Sequence, residues 1–108
     1  MSAKQVVPRE KARQDVEAAV DYYAAEAGEM IALRFVDAIE ETYRAIGRRP
    51  ALGSPRYGHE LDLPGLRTRS LKRFPYVVFY IEQEDYLDVW RVLHAHRDIP
   101  AGLSEPQG

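Results

Sequence analysis

The sequence predicts an α+β fold: a short N-terminal strand, an αα-hairpin and a three-stranded antiparallel meander, with the helices packed on one sheet face. Two consecutive stretches carry apolar residues at helical spacing, and three later stretches are rich in β-branched and aromatic residues. The 108 residues suffice for a single domain. We place this domain at residues 1–98 and expect residues 99–108, where proline and glycine recur, to form a flexible tail.

The first strand and the first helix meet at Pro8. Lys4 to Val7 is short and extended in character, and a residue that precedes proline disfavours helix. Pro8 itself suits the first turn of a helix, because its missing N–H is not needed there. The apolar stripe of this helix consists of Ala12, Val16, Ala19 or Val20, Tyr23 and Ala27. Gly28 is expected to end it.

The second helix begins at Glu29, because an acidic residue is favourable at a helix N-terminus. Its apolar stripe consists of Ala32, Phe35 or Val36, Ile39, Tyr43 and Ile46. Gly47 and Pro50 are expected to stop this helix. Two amphipathic helices joined at one glycine form an αα-hairpin, and each apolar stripe needs a second layer to pack against.

The second half of the chain predicts a connector and three strands. Residues 50–65 are rich in proline and glycine, which favours a connector within the domain. Leu66 to Leu71, Tyr76 to Ile81 and Tyr86 to His94 are predicted strands, and short turns between them favour antiparallel pairing. With helices on one face of this sheet, the other face is left free for function.

The composition narrows the compartment in which the protein works. The chain has no cysteine, which excludes disulfides and thiolate chemistry and favours a reducing compartment. No apolar run follows the first residues, so we expect no signal peptide. The longest apolar run, Tyr76 to Ile81, is too short to cross a bilayer. We therefore expect a cytoplasmic protein without a membrane span.

A basic segment stands out against the acidic balance of the whole chain. The formal net charge is −2, yet residues 65–81 contain Arg67, Arg69, Lys72 and Arg73 and no acidic residue. Because side chains alternate along a strand, Arg67 and Arg69 point to the same face. The segment is a candidate docking surface for an acidic partner, and the alternative is a solvated face that keeps the sheet edge soluble.

Several short motifs resemble a known family in their order and spacing over nearly the whole chain. They are Pro8, Ala12, Asp15 and Val16; Pro50 and Gly53-Ser-Pro55-Arg56; Gly65-Leu-Arg67; Phe74-Pro-Tyr76 with Tyr80; and Val92-Leu-His94 with Arg97-Asp98. The chain resembles the ParE toxins of the RelE/ParE superfamily of type II toxin–antitoxin systems. The resemblance implies a toxin of the kind that stabilises plasmids, neutralised by direct binding of a ParD-like antitoxin. It also implies that the target is DNA gyrase.

The resemblance leaves two mechanisms of toxicity open, and a third possibility is a family member that has lost toxicity and serves as an interaction module. In an inhibitory binding toxin, Arg67, Arg69, Lys72 and Arg73 would bind the target, and Tyr22, Phe35 and Trp90 would bind the antitoxin. In a RelE-like ribosome-dependent mRNA endoribonuclease, the superfamily pattern implies cations such as Arg67 and Arg69 and a base such as His94. No tyrosine follows Tyr86, so the tail tyrosine of those nucleases is absent.

Binding is the favoured mechanism, and no catalytic residue is assigned. His94 ends a strand four residues before Asp98, which favours a hydrogen-bonded structural histidine over a catalytic one. The pair His94 and His96 alone is weak evidence for zinc, so no metal is expected. The sequence contains no phosphate-binding or hydrolase motif, so we expect no cofactor and no enzymatic activity. Sequence-specific DNA binding by this chain is not expected either.

Overall fold

The computed structural model describes residues 3–99. The elements are β1 (Gln5–Pro8), α1 (Glu10–Ala27), α2 (Glu29–Arg48), a 3-10 turn (Pro50–Leu52), α3 (Arg56–Glu60), β2 (Leu66–Ser70), β3 (Tyr76–Glu82) and β4 (Tyr86–His94). This order confirms the predicted α+β class, with a strand, a helical hairpin and a three-stranded meander. Ile99 packs on the domain, and the rest of the predicted tail lies outside the described residues.

The four strands form one mixed sheet in the order β1-β4-β3-β2. The two hairpins are antiparallel, and β1 lies parallel to β4 with Val6 opposite Leu87. The register between β3 and β4 shifts at Phe79 and Tyr80, which marks a β-bulge. β3 is thus a central strand with a partner on each side, and this explains why its apolar run is continuous.

The helical hairpin supplies the main core. Gly28 has φ of +96°, a conformation that favours glycine, and it is the single residue between α1 and α2. The apolar stripes of both helices face the side of the sheet that carries Val78, Tyr80 and Val92. Phe35 and Val78 have no exposed surface, so this layer fixes the position of α2 on the sheet.

The second face of the sheet is partly covered, contrary to the expectation of a free face. Leu66, Phe79 and Leu93 form a second apolar cluster there, and Tyr57 of α3 packs against it. Helix α3 was not predicted, because Pro55 and Gly58 favour a loop. Gly58 is buried, and a Cβ at this position would meet the carbonyl oxygen of Leu66 at 2.7 Å.

A carboxylate ties α1 to β4 beyond the end of β1. Asp15 accepts hydrogen bonds from Arg91 Nε at 2.8 Å and Nη2 at 2.9 Å, and from the Val92 N–H at 2.9 Å. The side chains of Asp15 and Arg91 each keep only 15% of their surface exposed.

Within residues 3–99, no helix has an apolar stretch of the length that a membrane span requires.

Candidate functional site

The turn between β2 and β3 holds two of the predicted cations in the open. Lys72 and Arg73 are exposed, and Arg73 adopts a left-handed backbone with φ of +68°. The next residue, Phe74, packs its ring 5.2 Å from the rings of both Tyr23 and Phe35. The aromatic contacts fix the turn against both helices, so the two charges project from a defined position rather than from a loose loop.

The other two predicted cations lie on the helix-packed side of β2. Arg67 is opposite Tyr80 and Arg69 is opposite Val78, so both share one face, as predicted. The Arg67 guanidinium is engaged: its Nη1 donates to the Gly53 carbonyl at 2.7 Å. Arg67 therefore stabilises the loop before α3, while Arg69 forms no hydrogen bond to another described residue.

Tyr80 anchors the same loop from the central strand. Its hydroxyl accepts a hydrogen bond from the Gly53 N–H at 3.0 Å and donates one to the Pro50 carbonyl at 2.6 Å. Gly53 is required here, because a Cβ would collide with the Tyr80 hydroxyl and lie 2.9 Å from the Thr68 carbonyl. Burial, the largest cause, raises the pKa of the Tyr80 hydroxyl above its ordinary value.

A groove of about 720 Å³ separates this basic turn from α2. One wall carries Lys72 and Arg73, and the other carries charged residues of α2. The α2 residues are Arg34, Asp37, Glu41 and Arg44. Arg34 and Arg44 were not predicted as site residues, although both lie on the polar face of α2 beside its apolar stripe.

The tip of the hairpin exposes apolar side chains. Tyr22 is 53% exposed, Met30 67% and Leu33 55%. Met30 and Leu33 were not predicted as site residues either. Both are large apolar residues that lie off the apolar stripe of α2, and this position could have indicated that they are exposed. Phe35 was predicted to bind the antitoxin, and this is wrong: its side chain is completely buried beneath Tyr23 and Tyr76. Its position on the apolar stripe of α2, which made it a candidate contact, places it in the core.

Trp90, the third predicted antitoxin contact, is half-buried and already has neighbours. Its indole N–H donates to Asp88 Oδ2 at 3.2 Å, and the Arg9 guanidinium lies 4.7 Å from its ring centroid. Arg9 in turn forms two hydrogen bonds with the Asp88 carboxylate, at 2.9 and 3.0 Å. Trp90 thus belongs to a set of contacts that joins the start of α1 to β4. The part of its ring that does not contact Arg9 or Asp88 is exposed.

The structure separates the residues of the nuclease hypothesis. Arg67 and Arg69 lie on β2 and His94 on β4, and β3 runs between them, so the backbones are about 10 Å apart. His94 Nδ1 accepts a hydrogen bond from the His96 N–H at 3.2 Å, and the His94 N–H donates to Asp98 at 3.3 Å. Burial, then Arg97, lowers the pKa of His94.

Metal binding finds no support in the described part of the chain. Residues 3–99 contain no group of three or more His, Cys, Asp or Glu residues placed to hold a metal ion. The rings of His94 and His96 lie close, with centroids 6.0 Å apart, and the His94 ring also packs edge-on against Tyr76 at 5.3 Å.

The sequence matches a family model over residues 6–99, and this model describes the ParE toxin of the type II toxin–antitoxin system parDE. The chain belongs to the ParE toxin family. Its fold is similar to a chain of the chromosomal ParDE TA system from P. aeruginosa, with a TM-score of 0.74 and 23% sequence identity. That likeness covers 87% of this chain and 98% of the other. No curated protein matches the sequence.

These findings confirm the predicted resemblance to ParE and the predicted fold. This ParE family member is the toxin component of a type II toxin–antitoxin system. The family match extends from β1 through Ile99, and so includes the basic turn, the groove and the hairpin tip. These three surfaces are therefore the candidate contact sites of the toxin.

Proposed function

We propose that this toxin arrests growth by binding DNA gyrase and that a ParD-like antitoxin neutralises it by direct contact. The observation that carries the proposal is the exposed pair Lys72 and Arg73, held on a rigid turn without an ion pair to any described residue. Unpaired cations on a fixed support favour a long-range attraction to an acidic partner surface, and they cost little conformational entropy on binding.

Arg69 extends this basic surface along β2. It lies between Arg67 and the basic turn, and its side chain is partly exposed. Arg67 remains part of the proposed target-binding set, but its guanidinium already donates to the loop carbonyls of Ala51 and Gly53. A partner would therefore meet Arg69, Lys72 and Arg73 as free charges and Arg67 through its remaining donors.

The proposed antitoxin contact is the hairpin tip. Tyr22, Met30 and Leu33 expose large apolar surfaces on adjoining turns of α1 and α2, and such surfaces favour protein partners. Trp90 is the predicted contact on β4, through the part of its ring that Arg9 leaves open. The toxin is proposed to act in the cytoplasm, where both partners would be found.

Inhibition by binding is proposed in preference to RNA cleavage for a geometric reason. General acid–base cleavage needs a base and stabilising cations around one phosphate. Here β3 and its buried side chains lie between His94 and the arginines of β2. His94 also uses Nδ1 as an acceptor for the His96 N–H.

The test is a supercoiling assay with purified gyrase and the full chain. The wild-type toxin should inhibit supercoiling, and Lys72→Ala with Arg73→Ala should raise the half-inhibitory concentration about tenfold. The matched control is Arg13→Ala with Arg48→Ala, two exposed cations outside the proposed surface, which should change it less than twofold.

Two results would contradict the proposal. Unimpaired supercoiling at excess toxin, together with codon-linked cleavage of transcripts after induction in cells, would establish the endoribonuclease instead. Equal inhibition by the Lys72/Arg73 double variant would remove the target role of the turn. Coexpression of the ParD-like antitoxin should restore growth, and a failure to restore it would contradict the proposal that the antitoxin neutralises the toxin.

A further inference from the structure

The end of β4 is tied to the basic turn between β2 and β3. Tyr76, which follows this turn, lies opposite His94 in the register of β3 and β4. One residue further along, the Ala95 N–H donates to the Pro75 carbonyl at 2.8 Å. The basic turn therefore has a backbone contact with the end of β4, in addition to its aromatic contacts with the two helices.

The His94 side chain closes the segment of residues 94–98, in which that backbone contact lies. Its Nδ1 accepts a hydrogen bond from the His96 N–H at 3.2 Å. The His94 backbone N–H donates to Asp98 Oδ2 at 3.3 Å, and the His94 carbonyl accepts from the Asp98 N–H at 3.1 Å. Because Ala95 lies between these bonds, they fix the direction in which its N–H points.

The His94 ring also contacts the aromatic cluster beneath the basic turn. It packs edge-on against Tyr76, with 5.3 Å between the ring centroids. The Tyr76 ring lies 5.2 Å from that of Phe35 and 6.3 Å from that of Tyr23. These last two rings are the ones that hold Phe74 of the turn. Displacement of the His94 ring would therefore remove one neighbour from the cluster that supports the turn.

Protonation of His94 is incompatible with this closed arrangement. An imidazolium carries a hydrogen on both ring nitrogens, so Nδ1 could no longer accept the His96 N–H. The segment after β4 brings two further charged groups, Arg97 and Asp98, and β3 brings the Tyr76 phenol. Burial is the largest cause that lowers the pKa of His94, and Arg97 is the next, whereas Asp98 opposes them. Protons therefore favour a segment that has opened.

We infer that neutral His94 is a positioning residue for the basic turn, and that its protonation opens residues 94–98, breaks the bond to Pro75 and weakens target binding. Only the last step rests on the proposed function, since the opening of the segment is a property of the chain itself. A positive charge added near the basic turn would by itself strengthen attraction to an acidic partner. The sign of the pH effect therefore distinguishes positioning from the simple addition of charge.

The first measurement is amide hydrogen exchange of the full-length chain, followed by NMR at the Ala95 N–H. In wild type, the protection factor of this amide should fall about threefold between about pH 7.5 and about pH 5.5. His94→Asn should keep it high at both pH values, because an asparagine oxygen can accept the N–H two residues further on and does not titrate. His94→Ala, which lacks an acceptor, should keep it low at both.

The matched control is His96→Asn, which removes an exposed imidazole from the same segment and leaves the His96 backbone N–H in place. It should follow wild type at both pH values. Thermal melts check that each variant is folded. Protection of Ala95 that stays constant with pH in wild type, or that changes equally in wild type and His94→Asn, would overturn the inference.

The second measurement is the affinity of the same variants for purified gyrase over this pH range. Wild type and His96→Asn should bind about threefold more weakly at the lower pH, and His94→Asn should change less than twofold. Titration of groups on gyrase affects all variants alike and cancels in their ratio. Tighter binding by wild type at the lower pH, absent in His94→Asn, would show that His94 only adds charge. Loss of Ala95 protection as expected, without binding of gyrase at any pH, would overturn the proposed function and leave the opening of the segment established.

Discussion

The ion pair between Asp15 and Arg91 gives the sharpest stability prediction. Replacing Asp15 with alanine removes three accepted hydrogen bonds at 2.8 to 2.9 Å and leaves the Arg91 guanidinium and the Val92 N–H without this partner. Breaking a buried pair from one side costs about 3–5 kcal/mol. Because each side chain keeps 15% of its surface exposed, the expected loss lies at the lower end, about 3 kcal/mol, or roughly 12–24 °C in Tm.

The assay is equilibrium unfolding in urea, followed by circular dichroism. Asp21→Ala is the matched control, since it removes an exposed carboxylate from the same helix and should change the free energy of unfolding by less than about 0.5 kcal/mol. Replacing both partners, as Asp15→Leu with Arg91→Met, should cost less than Asp15→Ala alone, because the buried guanidinium is removed together with its carboxylate. A loss below about 1 kcal/mol in Asp15→Ala would show that this pair does not hold α1 against β4.

Two further predictions concern the loop anchor and His94. Tyr80→Phe should lower the free energy of unfolding by about 2 kcal/mol, because the Gly53 N–H and the Pro50 carbonyl both lose their partner; an unchanged urea midpoint would contradict the anchoring role. Burial and Arg97 lower the pKa of His94 below 6.5, so the unfolded chain binds this proton more readily than the native chain. The contribution of His94 to stability is therefore present above about pH 6.5 and is lost as the pH falls. His94→Gln should flatten the decrease of Tm between about pH 7 and pH 5, and an identical decrease in wild type and variant would refute the assignment.

The local elements were predictable because their causes are local. The stripes of α1 and α2, the single glycine between them and the apolar run of β3 all follow from spacing along the chain. The parallel pairing of β1 with β4 is a contact between distant segments, and no short-range pattern specifies it. The helix α3 escaped prediction because its Gly58 is required by a close approach to Leu66, a neighbour that becomes visible only in the folded chain.

The site was predictable as a list of charges but not as a surface. Lys72 and Arg73 remain exposed because Phe74 supplies the apolar contact of their turn. Arg67, from the same basic segment, folds back onto the carbonyl of Gly53, and nothing in the alternation of β2 distinguishes it from Arg69. Phe35 shows the converse error, since an aromatic residue on a helix stripe belongs to the core more often than to an interface.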